Sequence, residues 1–109
     1  MGQTERTRFG LHSRDGGLPV GTATFWPIEP LAGRWGVQAV GLLQLEIQPT
    51  YRQQGLATYL LGEALRQLRQ QGVALAEAHL DHTNLSATAL LQKLGFAQQA
   101  QGIVMQKTF

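Results

Sequence analysis

The chain has 109 residues, enough for one domain, and 43% of them are apolar, which excludes a disordered chain. The net charge is +2 and the nine basic residues are scattered, so the clustered positive stripe of a nucleic-acid binder is missing. There is no Cys, which excludes disulfides, thiolate catalysis and Cys-based zinc sites together.

Met1–Gly10 is polar and carries no signal-like apolar region, and no run approaches the roughly 18 apolar residues of a membrane span. A cytoplasmic protein without a membrane partner is expected, with residues 1–109 as a single domain.

Thr7–Ser13 reads as a first strand, and Arg14-Asp15-Gly16-Gly17 as a turn. Pro19–Trp26 alternates weakly and predicts a second strand. Pro27–Gly36 holds two Pro and two Gly and reads as a loop. Val37–Gln48 predicts a third strand, with Leu43, Leu45 and Ile47 on one face and Gln44, Glu46 and Gln48 on the other. Pro49 ends it.

Gly55–Gln71 predicts a helix, because Leu56, Leu60, Leu61, Ala64, Leu65 and Leu68 recur at helical spacing. Gly72 is its natural stop. Val73–Leu80 predicts a strand. Asn84 reads as an N-cap, and Ala87, Leu90, Leu91 and Leu94 line a second helix ended by Gly95. Phe96–Phe109 holds one or two closing strands, with Gln101-Gly102 as a turn. The order β-β-β-α-β-α-β(β), hairpins first and crossovers later, implies an α+β or α/β fold with a mixed sheet.

The segment Leu45–Ala57 runs strand, tight turn, helix start. The first N–H groups of a helix lack internal partners, and the helix dipole adds positive charge there. Such a turn holds phosphate. Gly55 and Ala57 leave the backbone approachable, and Arg52 can add a charge-assisted contact.

Arg52-Gln53-Gln54-Gly55-Leu56-Ala57 resembles the coenzyme A-binding motif Q/R-x-x-G-x-G/A of the GCN5-related N-acetyltransferase (GNAT) superfamily. Asn84–Phe96 resembles that family's N-x-x-A-x-x-L-Y-x-K-x-G-F segment. The resemblance runs from about Arg6 to the C-terminus. It implies a pantetheine arm between two splayed parallel strands, Leu43–Gln48 and Val73–His79, with strand backbone at Leu45, Glu46 and Ile47 meeting its amides. It implies that amides of Arg52, Gln53, Gln54, Gly55, Leu56, Ala57 and Thr58 hold the pyrophosphate, and that Asn84 and Leu91 lie near the thioester end. The cosubstrate implied is acetyl-CoA, without a metal, and the acceptor is a small-molecule or peptide amine.

The sequence departs from the family in three places. Leu91 stands where relatives often carry a Tyr that protonates the departing thiolate. Gln53 and Gln54 replace small or basic residues. The strand and two helices that usually precede the first hairpin are missing, so a second copy or partner chain is expected to cover the open side.

Glu46 is a candidate general base, its alternative being an exposed strand carboxylate. Glu77, His79 and His82 lie on or just after the strand expected beside the thioester, and each alone reads more readily as structural or solvated than as a base. His79-Leu80-Asp81-His82 is weak as a metal site, because strand residues three apart face opposite sides. Phe25, Trp26, Trp35 and Tyr51 line either an acceptor pocket or the core. The expected function is direct acetyl transfer from acetyl-CoA to a primary amine. The alternative is a non-catalytic coenzyme A sensor or interaction domain.

Overall fold

The computed structural model of the chain describes residues 6–14, 17, 19–28, 38–52, 55–80, 85–98 and 104–109. The expected turns around Asp15-Gly16 and Gln101-Gly102, the loop at 29–36, and Trp35, Gln53, Gln54, Asp81, His82 and Asn84 lie wholly or largely outside the described residues.

Six strands form one mixed sheet: β1 Thr7–Leu11, β2 Gly21–Pro27, β3 Gln38–Ile47, β4 Val73–His79, β5 Ala97–Gln98 and β6 Val104–Thr108. Two helices are α1, Leu56–Gln70, and α2, Leu85–Lys93. The spatial order is β1-β2-β3-β4-β6-β5. Of the adjacent pairs among these six strands, β3 with β4 is parallel and the others are antiparallel, and α1 connects β3 to β4. This is the expected element order, and it is a GNAT-like α+β arrangement.

The apolar stripe of α1 explains its place. Leu60, Leu61, Ala64, Leu65 and Leu68 are all buried, and they share a core with Ala23, Phe25, Val40, Ile47, Ala76 and Ala78 of the sheet. Phe9 of β1 meets Phe25 edge-on at 5.8 Å, so Phe25 belongs to the core rather than to an acceptor pocket. Helix α2 contributes Leu91 to the same core. Leu94, just past α2, closes on Gly62 of α1: a Cβ built on Gly62 would stand 3.6 Å from a Leu94 methyl. Both helices therefore lie on one face of the sheet. Gly72 and Gly95, both at φ 97°, follow the ends of α1 and α2, where left-handed residues stop helices.

The opposite face carries Trp26, Gly41, Glu77 and Gln106, which are paired in one row across β2, β3, β4 and β6. No described helix covers it.

Strand β3 does not alternate uniformly. Thr24 pairs with Gln44 but Phe25 pairs with Leu42, so Leu43 is an extra residue, a β-bulge. Before the bulge Val40 and Leu42 face the core; after it Leu45 and Ile47 do. The extra residue shifts the parity by one. Leu43 itself is 47% exposed, so the expected continuous face of Leu43, Leu45 and Ile47 begins only at Leu45.

Candidate active site

Strands β3 and β4 stay paired from Gln38 with Val73 to Leu42 with Ala78, and then part. From Leu43 to Ile47, β3 continues beside β2 with no β4 partner. A strand edge released in this way offers N–H and C=O groups to a ligand laid along it. The bulge at Leu43 lies where the strands separate.

The gap opens into a cavity of about 230 Å3 walled by Leu42, Leu43, Gln44 and Leu45 on one side, Ala78, His79 and Leu80 on the other, and Ala87, Leu90 and Leu91 of α2. Leu91 is 2% exposed and turned into the core, so it supplies an apolar floor. A larger groove of about 760 Å3 lies next to it and shares Leu45, Ala87 and Leu90. This groove runs past Glu46, Ile47, Tyr51 and Arg52 to Gly55, Leu56, Ala57 and Thr58. The two cavities thus lead from the parted strands to the start of α1.

Pro49–Tyr51 forms a single 3-10 turn after β3 and redirects the chain toward α1. Gly55 is the N-cap, at φ 75° and ψ 8°. A Cβ there would meet no described atom within 4 Å beyond its chain neighbours, so it is the left-handed backbone that selects glycine. Gly55 has no side chain to cap the helix, and the first turn of α1 contains no acid. The first helical bond runs from the Tyr59 N–H to the Gly55 carbonyl. The N–H groups of Leu56, Ala57 and Thr58 precede it and have no intrahelical acceptor, and the positive end of the helix is not neutralised. Three amides, an unneutralised dipole and an unobstructed groove are the requirements for binding a phosphate.

Arg52 is held in place. Its Nε donates to the Ile47 carbonyl at 3.0 Å, which closes the turn and leaves the guanidinium's terminal nitrogens to reach an anion. Glu46 is exposed, and its Oε1 accepts a hydrogen bond from Gln44 Nε2 at 2.6 Å. It lines the larger groove near Arg52, not the cavity between the strands.

On β4, His79 Nε2 lies 3.1 Å from Glu77 Oε1. The other carboxylate oxygen, Oε2, accepts from Gln106 Nε2 at 3.2 Å. The same-face spacing of Glu77 and His79 is visible in the sequence. Gln106 arrives from β6, 29 residues away, and nothing local in the sequence signals it. No cluster of metal-ligating side chains occurs among the described residues. No described helix is long and apolar enough to cross a membrane.

The model of the acetyltransferase (GNAT) family matches residues 2–96. A comparison with curated proteins finds no match. Among solved structures, the PaiA N-acetyltransferase from Thermoplasma acidophilum, in complex with coenzyme A, aligns with a TM-score of 0.75 at 18% identity over 95% of this chain and 61% of its own. The ribosomal-protein-S18-alanine N-acetyltransferase of Escherichia coli gives 0.76 at 22% identity over 99% and 71%. A GNAT-family N-acetyltransferase (YhbS) of Escherichia coli, in complex with coenzyme A, gives 0.70 at 26% identity over 86% and 54%. The chain thus spans about 61% of the first of these relatives. With the family's model matching residues 2–96, well over half of its length, this chain belongs to the acetyltransferase (GNAT) family.

Proposed function

We propose that the chain is an acyl-CoA-dependent N-acetyltransferase that moves acetyl from acetyl-CoA directly to a primary amine. The observation that carries this reading is the continuous path from the N–H groups of Leu56–Thr58, which have no intrahelical acceptor, to the gap where β3 leaves β4.

On this reading the diphosphate rests on the amides of Gly55, Leu56, Ala57 and Thr58, with Arg52 adding a charge-assisted contact. The family resemblance adds the amides of Gln53 and Gln54 at the diphosphate and Asn84 near the thioester end. The pantetheine amides pair with the free edge of β3 at Leu45, Glu46 and Ile47. The thioester then reaches the cavity beside Leu91. Holding amine and thioester in contact supplies up to about 7–11 kcal/mol of the barrier, so no covalent enzyme intermediate is required. A main-chain N–H of β3 near the bulge at Leu43 suits the developing oxyanion. The amine must be neutral when it attacks, so a proton acceptor is needed on the open face of the sheet; Glu46 is the acceptor expected from sequence. A second copy covering that face would complete the acceptor site, and light scattering at micromolar concentration should then give a dimer; a monomer would rule the second copy out.

Calorimetric titration with acetyl-CoA, followed by thiol-release assays against a panel of amines, tests the reading. Binding with turnover supports it, and absence of binding overturns it. One observation favours a second reading, a coenzyme A sensor: Leu91 is buried and cannot donate a proton to a thiolate. Tight binding without turnover would select that reading.

A further inference from the structure

We propose that His79 is the base that accepts the amine's proton, and that Glu77 and Gln106 are the residues that position it. The assignment rests on the acetyl-transfer reading above and names a residue of that same site.

His79 is the last residue of β4 and lines the cavity that opens where β4 separates from β3. Glu46 lies in the neighbouring groove with Arg52 and Gly55, at the end suited to the diphosphate. A base must stand within hydrogen-bond reach of the attacking nitrogen, directly or through one water. Of the two side chains, only His79 shares a cavity with the bulged segment Leu43–Leu45 and with Leu91.

A carboxylate only accepts, so the Glu77 Oε1 contact requires the imidazole hydrogen to be on Nε2. That leaves Nδ1 with the lone pair, in the tautomer a proton acceptor needs. Gln106 donates to Glu77 Oε2, so both carboxylate oxygens are engaged and the carboxylate is fixed on the sheet face. Glu77 has only 17% of its side chain exposed, whereas His79 has 71%. The carboxylate is shielded by the sheet, while the imidazole projects from it. Among the described residues, the charged groups on the neighbouring strands are Glu46, at the other end of the β3 edge, and Lys107 on β6. Lys107 pairs with Ala76, and its Nζ stands 5.8 Å over the Phe109 ring.

The transfer balances through these atoms. The amine nitrogen bonds to the acetyl carbon as the carbon–sulfur bond breaks, and the electron pair leaves on the thiolate. The proton shed by nitrogen passes to His79 Nδ1, and the imidazolium hydrogen-bonds to the Glu77 carboxylate. Solvent at the exposed ring then removes the proton and the thiolate takes one up.

The test uses the full chain with acetyl-CoA, its own fragment adenosine 3′,5′-bisphosphate, and a panel of primary amines. His79→Ala should lower kcat about 10²-fold while leaving the acetyl-CoA KM within about twofold, and added imidazole should restore part of the rate. Glu77→Gln should lower kcat less, without loss of acetyl-CoA affinity. Turnover by His79→Ala within about twofold of wild type, or indifference to imidazole, overturns the assignment. Diethyl pyrocarbonate labelling of the full chain is a second readout of where His79 stands. Acetyl-CoA should shield His79 and the bisphosphate should not, and equal labelling with both would overturn the assignment. A wild-type chain that fails to bind acetyl-CoA overturns the transferase reading and this one with it. Binding and turnover with an unaffected His79→Ala overturns this one alone.

Discussion

Replacing Gly55 by Ala separates the two demands placed on the start of α1. At φ 75° and ψ 8° an L-residue costs about 1–2 kcal/mol relative to glycine. No described atom beyond its own chain neighbours lies within 4 Å of the new Cβ, so no steric clash adds to that. The free protein should lose about 1 kcal/mol, a fall in melting temperature of about 4–8 °C for a domain near this size. Acetyl-CoA affinity should fall further, because displacing a diphosphate from even one charge-assisted amide contact costs about 1.5–3 kcal/mol, or about 10–100-fold. Gly55→Asn tells the two effects apart. Asn tolerates the left-handed region, so stability should return to within a few tenths of a kcal/mol. Its side chain still occupies the approach, and affinity should remain low. Thermal unfolding and calorimetric titration of both variants make the measurement. An Ala variant as stable as wild type would refute the backbone conformation, and wild-type affinity in both variants would refute the role of the turn.

Arg52→Ala should remove both the tie to the Ile47 carbonyl and the guanidinium, lowering affinity for acetyl-CoA and for adenosine 3′,5′-bisphosphate together, each about tenfold by calorimetry. Leu61→Ala, at a position with 0% exposure under the sheet, should cost about 2–5 kcal/mol in urea unfolding. Gly62→Ala should stabilise the protein by about 0.5–1 kcal/mol in the same assay. It gains helix propensity, and its new methyl would meet Leu94 at 3.6 Å, an ordinary contact.

The helices were legible because their signals are local. Leucines at helical spacing placed α1 within a residue of its bounds, and Gly72 and Gly95 marked the stops of α1 and α2 through the left-handed conformation that the structure gives them. The turn into α1 was legible for the same reason: its strand, turn and helix start are consecutive in the chain. The bulge at Leu43 was not. Val37–Gln48 reads as one alternating strand, and an extra residue opposite Thr24–Phe25 depends on the register with β2, which the pattern of one strand does not carry. The parting of β3 from β4 is likewise a property of two segments more than thirty residues apart. Side chains split along the same line. Glu46 was picked out from its own strand, whereas the network that fixes His79 needs Gln106 from β6. Thr24 is a remaining local exception: its hydroxyl is buried without a partner among the described residues, and the structure supplies no reason for a polar residue there.

Amide chemical-shift mapping during titration of the full chain with acetyl-CoA tests the central claim most directly. The largest changes should fall on Gly55–Thr58 and, separately, on Leu43–Ile47, the two ends of one continuous path. Changes confined to other surfaces, or no saturable change at millimolar ligand, would contradict it.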